Sequence, residues 1–403
     1  MAAFLLGLTG IYFVNKIKKN QIQKGGVPHA TTKDSYGFQN SDFLVKIIFS
    51  DYRKEDIDNY ESGSEIPGDF DGLTFIQTDG DNGFFFLNHE NYPGGSVSRL
   101  TYQDGMVVKS ELWKGSLARP CSNHKTPWNT ILTNEEYMSS DKGLGYVYEL
   151  DPYDRNNFKK LEGLGRMWHE NTLPVPDSTV PGGYYFLTTD DRSMIQEGGS
   201  LYKFVPNQSQ DLTNGSLYVY QATNEGTWLD DQVSGEWILI QDPTDIKKYN
   251  QEGTPYYKME DLEYNTQDGC VYICVGGMKD GNLGGIYKFN PEDNSMQRWL
   301  KCENTNGKLI NPDNIDIDNQ GNLYIGEDKR SSNISIYGNN RLVKVNYKNP
   351  DNLEVMLIGA DHIGEVTGVL LSPDQTKLWV NWQHGNDSDL GYFNELIEIN
   401  LNN

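Results

Sequence analysis

The stretch Arg119-Pro-Cys-Ser-Asn-His-Lys-Thr-Pro-Trp-Asn-Thr-Ile-Leu-Thr-Asn-Glu-Glu-Tyr137 gathers a thiol, an imidazole, a rigid turn and paired carboxylates in one short segment. The ring of Pro127 bars Thr126 from the α region, so the middle of the segment is turn or extended backbone. Trp128 to Thr133 then alternates and is β-branched, which predicts a strand ending at Glu135-Glu136. Such a unit can bring the sulfur of Cys121 and an oxygen of Glu136 back to a common point. Thiolate beside carboxylate is a mixed soft and hard donor set, better suited to iron or zinc than to calcium alone.

Further blocks carry the same kinds of atoms. Asn88-His89-Glu90 follows the apolar run Phe84 to Leu87 and falls at a strand end. Gly165-Arg-Met-Trp-His-Glu170 places a second His-Glu pair after a glycine turn. Asp190-Asp191 closes the run Tyr185-Phe-Leu-Thr-Thr, and Lys203 lies in Leu201-Tyr-Lys-Phe. Lys258-Met-Glu-Asp-Leu-Glu263 is an acidic run behind a lysine. Asn311-Pro-Asp-Asn-Ile-Asp-Ile-Asp318, followed by Gly321-Asn-Leu-Tyr-Ile-Gly-Glu-Asp328, is more specific. Asn and Asp supply the oxygen donors calcium takes, and Asp-x-Asp alternation sets carboxylates on one face of a strand. Glu365 and Gln383-His384 close the series. Each block alone also has a plain structural reading: a polar strand end, an Asx turn that needs no ion, or, for Lys203, an exposed strand lysine.

Taken in order, these blocks resemble the PhoX family of calcium- and iron-dependent alkaline phosphatases. The likeness runs over roughly residues 70–390: Asn-His-Glu, Cys with Thr-Pro-Trp and Glu-Glu, Gly-Arg-x-x-His-Glu, Asp-Asp with Tyr-Lys-Phe-Val, the acidic block, Pro-Asp-Asn with Glu-Asp, and Gln-His. The resemblance implies a β-propeller that hydrolyses phosphomonoesters with Fe3+ and Ca2+. By position it implies Cys121 and Glu136 as iron ligands and Glu170 and Glu260 as metal-bridging carboxylates. Asn88, Asp190, Asp191, Asp313, Asn314, Glu327 and Asp328 fall at matching metal-binding blocks. Lys203 falls where the family holds the substrate phosphate, and Lys258 stands where Arg-Pro-Glu is usual. A lysine offers a point charge where arginine offers a planar fork. Asn129 replaces a customary glycine, and the usual export signal and the proline after Gln-His are absent.

The elements that must position these residues are short strands. Phe84-Phe-Phe-Leu, Gly145-Tyr-Val-Tyr-Glu-Leu, Leu217-Tyr-Val-Tyr, Val271-Tyr-Ile-Cys-Val and Leu378-Trp-Val are among them, with turn residues between. Gly199-Ser-Leu-Tyr-Lys-Phe-Val-Pro and Gly285-Ile-Tyr-Lys-Phe-Asn-Pro are near copies. Recurring strand pairs of this form predict an all-β fold, a β-propeller of six blades, whose sheets bury their faces by stacking. A β-sandwich is the alternative. With 41 Gly, 16 Pro, 25 Tyr and 15 Phe, the composition is that of a turn-rich β protein with large apolar bodies for its core.

The formal charge of −23 repels phosphate backbones and argues against nucleic acid as a partner. Cys270 and Cys274, four apart on one strand, would sit roughly 13 Å from each other, too far for a disulfide, and read as core residues. Cys302 carries no signal. The apolar run from Ala2 to Val14, followed by Lys16, Lys18 and Lys19, is expected to be a membrane anchor or a targeting segment over 1–20. A linker over 21–40 and a propeller domain over 41–403 follow. The trailing lysines would hold the rest of the chain on the cytoplasmic or matrix-like side, and the expected location is an organellar inner membrane or a cell envelope. The expected function is phosphomonoester hydrolysis. Two other readings stand beside it: a degenerate, membrane-anchored subunit of a membrane complex, and a calcium-dependent lactonase.

Overall fold

The computed structural model describes residues 38–39, 43, 45–51, 67–138, 143–192, 198–223, 230–244, 252–277, 282–329, 331–387 and 391–402. The expected anchor and nearly all of the linker lie outside them. Among the described residues no helix is long and apolar enough to cross a membrane.

Runs rich in Phe, Tyr, Val, Ile and Leu, punctuated by Gly, Asp and Asn, fold as antiparallel strands. Two short strands, β1 (Phe38–Gln39) and β2 (Val45–Ser50), precede a four-stranded meander of β3 (Phe70–Asp79), β4 (Asn82–His89), β5 (Gly95–Gln103) and β6 (Met106–Leu117). The next meander holds β7 (Pro120–Lys125), β8 (Ile131–Glu135), β9 (Val147–Leu150) and β10 (Phe158–Leu161). A nine-stranded sheet follows. One part is β11 (His169–Pro176), β12 (Tyr184–Asp190), β13 (Leu201–Gln208), β14 (Asp211–Ala222) and β15 (Gln232–Leu239). The other is β16 (Met259–Asn265), β17 (Cys270–Val275), β18 (Gly285–Asn290) and β19 (Ser295–Lys301), and β15 pairs with both β14 and β19. Next come β20 (Pro312–Ile317), β21 (Asn322–Glu327), β22 (Arg341–Asn346) and β23 (Asn349–Gly359), with β1 added at the edge. Last are β24 (Glu365–Leu371), β25 (Lys377–Asp387) and β26 (Gly391–Asn400), with β2 pairing on β26.

The first strand of each unit faces the first strand of the next. β3 packs on β7, β7 on β11, β11 on β16, β16 on β20, β20 on β24, and β24 returns to β3. The ring therefore closes, giving an all-β, propeller-like architecture rather than a sandwich. Among the described residues the hydrogen-bonded sheets number five where six blades were expected, because β15 stitches two meanders into one.

Apolar side chains fill the wedges between neighbouring sheets. Across the junction of the first and last units, Phe75 on β3 lies 4.9 Å from the Trp379 ring on β25, and Phe85 meets Trp379 at 4.8 Å. Full burial of each such ring is worth about 1.5–3 kcal/mol, so the closure is driven by packing as well as by the β2–β26 ladder. Cys270, Cys274 and Cys302 are free thiols buried in one apolar cluster.

Candidate metal centre

A single backbone irregularity recurs where the inner strands begin. The register slips between Phe70 and Leu73, Pro120 and Asn123, His169 and Thr172, Met259 and Leu262, and Pro312 and Ile315. Each slip is a β-bulge, which leaves extra residues unpaired and re-aims their side chains. The residue just inside each bulge is Asp71, Cys121, Glu170, Glu260 or Asp313, and all of these line one cavity of about 370 Å³. At the corresponding slip in β24, between Thr367 and Leu370, the position is Gly368. It has φ +54, and a Cβ there would lie 2.4 Å from Asn381 Nδ2. Glu365, at the head of that strand, supplies the carboxylate instead.

The ends of the second strands add another tier. Phe70 pairs with His89, Pro120 with Glu135, His169 with Asp190, and Pro312 with Glu327. The residues after these partners are Glu90, Glu136, Asp191 and Asp328, and they too line the cavity, with His384 beyond β25's Gln383. Successive residues at a strand end point opposite ways, so one member of each polar doublet enters the sheet and the next faces the axis. In the remaining unit the position is Gly276. A Cβ there would stand 3.1 Å from both Glu260 Oε1 and Lys258 Cβ, so its absence makes room for that pair.

The inward-facing groups interlock. Cys121 Sγ lies 3.2 Å from Asp71 Oδ2 and 3.1 Å from Glu170 Oε1, within hydrogen-bond reach of either. Lys258 Nζ lies 2.8 Å from Glu260 Oε1 and 3.5 Å from Asp191 Oδ2. Arg119 pairs with Glu90 and, at 3.0 Å, with Glu136 Oε2. Ligand-type atoms within 4.8 Å of one another form Asp71/Glu90/Cys121, Cys121/Glu136/Glu170, Glu170/Glu260/Asp313 and Asp313/Asp328/Glu365. Shared members link these groups into one continuous chain around the channel.

Burial, and then neighbouring carboxylates, push the acids of Asp71, Glu136, Glu170, Glu260 and Asp313 well above the usual carboxylate range. Burial and the adjacent Asp71 and Glu170 push the Cys121 thiol up as well. Burial opposes charge on His384, but hydrogen bonds to Asp69 and Glu365 push it up to about 11. The lining holds many carboxyls against Arg119, Lys258 and His384. Asp71 Oδ1 and Asp191 Oδ1 are buried without a hydrogen-bond partner among the described residues. A crowd of buried oxygens with unspent acceptor capacity fits bound cations, whose charge would restore the ionised forms.

The expected site residues divide cleanly. Cys121, Glu136, Glu170, Glu260, Asp313, Asn314, Asp328 and Lys258 line the cavity. Asn88, Asp190, Glu327 and Lys203 do not. Asn88 spends its amide on the carbonyls of Cys121 (2.7 Å) and Ser122 (3.2 Å), so it positions β7 instead of facing the axis. Asp190 is the sheet-facing member of its doublet and pairs with Arg192. Glu327 likewise takes the Arg341 fork at 2.8 and 2.9 Å and the amide of Ile310 at 2.8 Å. Lys203 lies on the outer part of the blade, its Nζ 4.6 Å from the Trp237 ring centre and 5.6 Å from those of Tyr185 and Tyr218.

The histidines of the His-Glu pairs are also structural. His89 bridges Gly68 O (3.0 Å) and Ser98 Oγ (2.8 Å), while His169 bridges Gly165 O and Thr188 Oγ1, both at 3.1 Å. Burial pushes both rings down to about 4. Asp71 escaped the sequence reading altogether, and Glu90, Arg119 and Glu365 were not singled out as ligands. The signal was there: Phe-Asp-Gly-Leu, Pro-Cys-Ser-Asn, His-Glu-Asn-Thr, Met-Glu-Asp-Leu and Pro-Asp-Asn-Ile are the same four-residue bulge in different letters. The expected strand from Trp128 begins only at Ile131. Trp128 and Asn129 belong to the preceding turn, where Asn129 takes φ +63, the left-handed region that favours glycine.

The family model described as alkaline phosphatase PhoX matches residues 114–386, a span that includes Cys121, every later cavity carboxylate and His384. This chain belongs to the PhoX alkaline phosphatase family. Asp71 and Glu90 precede the matched span, yet they join the same cavity in this PhoX chain. Among solved structures it is similar to Pseudomonas fluorescens PhoX in complex with vanadate, a transition state analogue. That likeness has TM-score 0.72 and 17% identity over 93% of this chain and 97% of the other. It is also similar to a gluconolactonase from Xanthomonas campestris, with TM-score 0.51 and 10% identity over 93% and 97% of the two chains. At such identities these likenesses establish the propeller-like fold. No curated protein matches the sequence.

Proposed function

We propose that this PhoX-family chain hydrolyses phosphomonoesters, using Fe3+ and Ca2+ held in the channel of a six-bladed propeller. The observation that carries the reading is the contact of Cys121 Sγ with carboxylates from two other inner strands, at 3.1 and 3.2 Å, inside a continuous chain of ligand groups. The six-blade count rests on the ring of inner strands β3, β7, β11, β16, β20 and β24.

Cys121, Glu136 and Glu170 form the softer end of the donor set and are assigned to iron. Glu260, Asp313, Asp328 and Glu365 offer oxygens only and are assigned to calcium. When bound, the metals supply Lewis-acid stabilisation of the charge on the transferring phosphoryl group. The chain's own cations do the rest. Lys258 Nζ projects into the cavity from beside Glu260 and donates to a phosphoryl oxygen as a point charge. Arg119, paired through Nη2 with Glu90 and Glu136, lines the same cavity and adds a second cation to it. His384, 3.0 Å from Asp69 Oδ1 and 3.3 Å from Glu365 Oε1, lines that cavity as well.

The degenerate-subunit reading is not favoured, since four linked groups of ligand atoms and the Lys258 cation share one cavity. The test is to count iron and calcium per chain by elemental analysis and to follow phosphate release from an aryl phosphate before and after EDTA. Metal-dependent turnover is expected. No turnover with both metals supplied would overturn the proposal.

A further inference from the structure

Among the described residues, Trp168 is the sole Phe, Tyr or Trp lining the candidate metal cavity. It does not stand alone. Tyr137 lies 6.2 Å from it, tilted by 38°, and Tyr92 stacks on Tyr137 at 4.2 Å and 21°. Tyr92 is 50% exposed, so the row runs from solvent to the cavity wall. Binding a phosphate dianion calls for charge and hydrogen-bond donors, and the hydrolytic machinery leaves these rings unused.

Their backbone is tied to the ligands. Glu136 and Trp168 form an isolated β-bridge, and Tyr137 directly follows Glu136. The amide of Asp191 donates to Trp168 O at 3.0 Å, and the amide of Glu136 to Arg119 O at 2.9 Å. The rings are therefore held in fixed register with carboxylates of the metal groups. A phosphate seated among those groups has its ester oxygen directed away from them. That group would find Trp168 in the cavity wall, with Tyr137 and Tyr92 behind it toward solvent.

Resting on the phosphatase reading, we propose that Tyr92, Tyr137 and Trp168 form a leaving-group subsite that stacks a planar aromatic ring. The favoured substrates are then aryl phosphates or nucleoside monophosphates rather than alkyl and sugar phosphates. The two sources share one chemistry, a flat π surface joined to a phosphomonoester, and stacking reads that surface without demanding particular hydrogen bonds.

The experiment compares substrate pairs on the metal-loaded protein. Adenosine 5′-monophosphate and ribose 5-phosphate share a leaving oxygen and differ in the ring; phenyl phosphate against glycerol 1-phosphate forms the second arm. Stacking predicts that kcat/KM for the ring-bearing member exceeds its partner by about tenfold beyond intrinsic reactivity, and that Trp168→Leu or Tyr137→Leu lowers that ratio about tenfold. A fall in the adenosine arm alone assigns the subsite to nucleotides, and one in the phenyl arm alone assigns it to simple aryl esters. Tyr92→Ser, at an exposed ring, keeps the test available should a buried variant fail to fold. An equal loss with both members of each pair, or no loss, overturns the subsite.

Calorimetric binding of the adenosine and ribose compounds separates the two proposals. Ring-selective binding that Tyr137→Leu abolishes, in a protein with no turnover, would retain the subsite and reject the hydrolysis. No ring selectivity in binding or turnover rejects the subsite whatever the hydrolysis does.

Discussion

Cys121 Sγ on β7 donates a hydrogen bond to Glu170 Oε1 on β11 over 3.1 Å, although the residues are 49 apart in sequence. Two bulges, one at the start of each strand, aim the groups at each other. The contact is the sulfur's place in a chain of ligand groups that otherwise offers oxygen alone.

Replacing the sulfur tests that place. Cys121→Ser keeps a donor of similar reach but removes the soft ligand. Iron content should fall while calcium is retained, and kcat/KM for an aryl phosphate should drop by more than about 100-fold, exceeding the effect typical of residues that only orient ligands. Elemental analysis and initial rates check this together. Undiminished iron with full activity would reject the assignment.

Lys258 lies between Glu260 and Asp191, at the position where the family resemblance leads one to expect arginine. Lys258→Met removes a charge-assisted hydrogen bond to phosphate and leaves two buried carboxylates facing each other. A loss of about 10–100-fold in kcat/KM is expected. Lys258→Arg supplies a two-pronged donor and should tighten competitive inhibition by orthophosphate. Inhibition constants unaffected by either change would remove Lys258 from the binding site.

For Lys203 the expectation is the opposite. Its ammonium sits among Trp237, Tyr185 and Tyr218, outside the cavity lining. Lys203→Met should leave kcat and KM within about twofold. Burial lowers the Lys203 pKa from 10.5 to about 8. Between those values the unfolded chain holds a proton that the folded one releases, so rising pH favours the fold. The wild-type protein should gain stability relative to Lys203→Met between pH 8 and 10.5, which paired melting curves would reveal. A collapse of activity would return Lys203 to the site.

Chelation should change the pH dependence of stability. In the metal-free protein, burial and then Asp328 raise the Glu365 pKa from 4.5 to about 7. The folded form then keeps a proton that the unfolded chain releases, so this stabilisation is complete below 4.5 and is lost as pH rises through 7. EDTA-treated protein should melt progressively earlier across that window. Loaded protein, whose carboxylates are balanced by cations, should show a flatter curve. Superimposable curves would mean that Glu365 meets no metal.

Much of this molecule can be read from its residues in order. Alternating aromatic and β-branched runs between Gly, Asp and Asn turns dictate strands, because side-chain periodicity and turn chemistry act over a few residues. The ordered blocks around Cys121, Glu136, Glu170, Glu260, Asp313 and Asp328 carry the family likeness and the donor chemistry. What they cannot state is which way each side chain points. At a doublet such as Asp190-Asp191 or Glu327-Asp328, one carboxylate enters the sheet and the next faces the axis, and identical letters do not record the choice. Bulge register and ring closure make it, through contacts between residues hundreds of positions apart, such as Thr367 Oγ1 donating to Phe70 O at 2.7 Å. The same closure draws Asp71 and Glu365 into one channel and leaves Lys203 among rings on the outside.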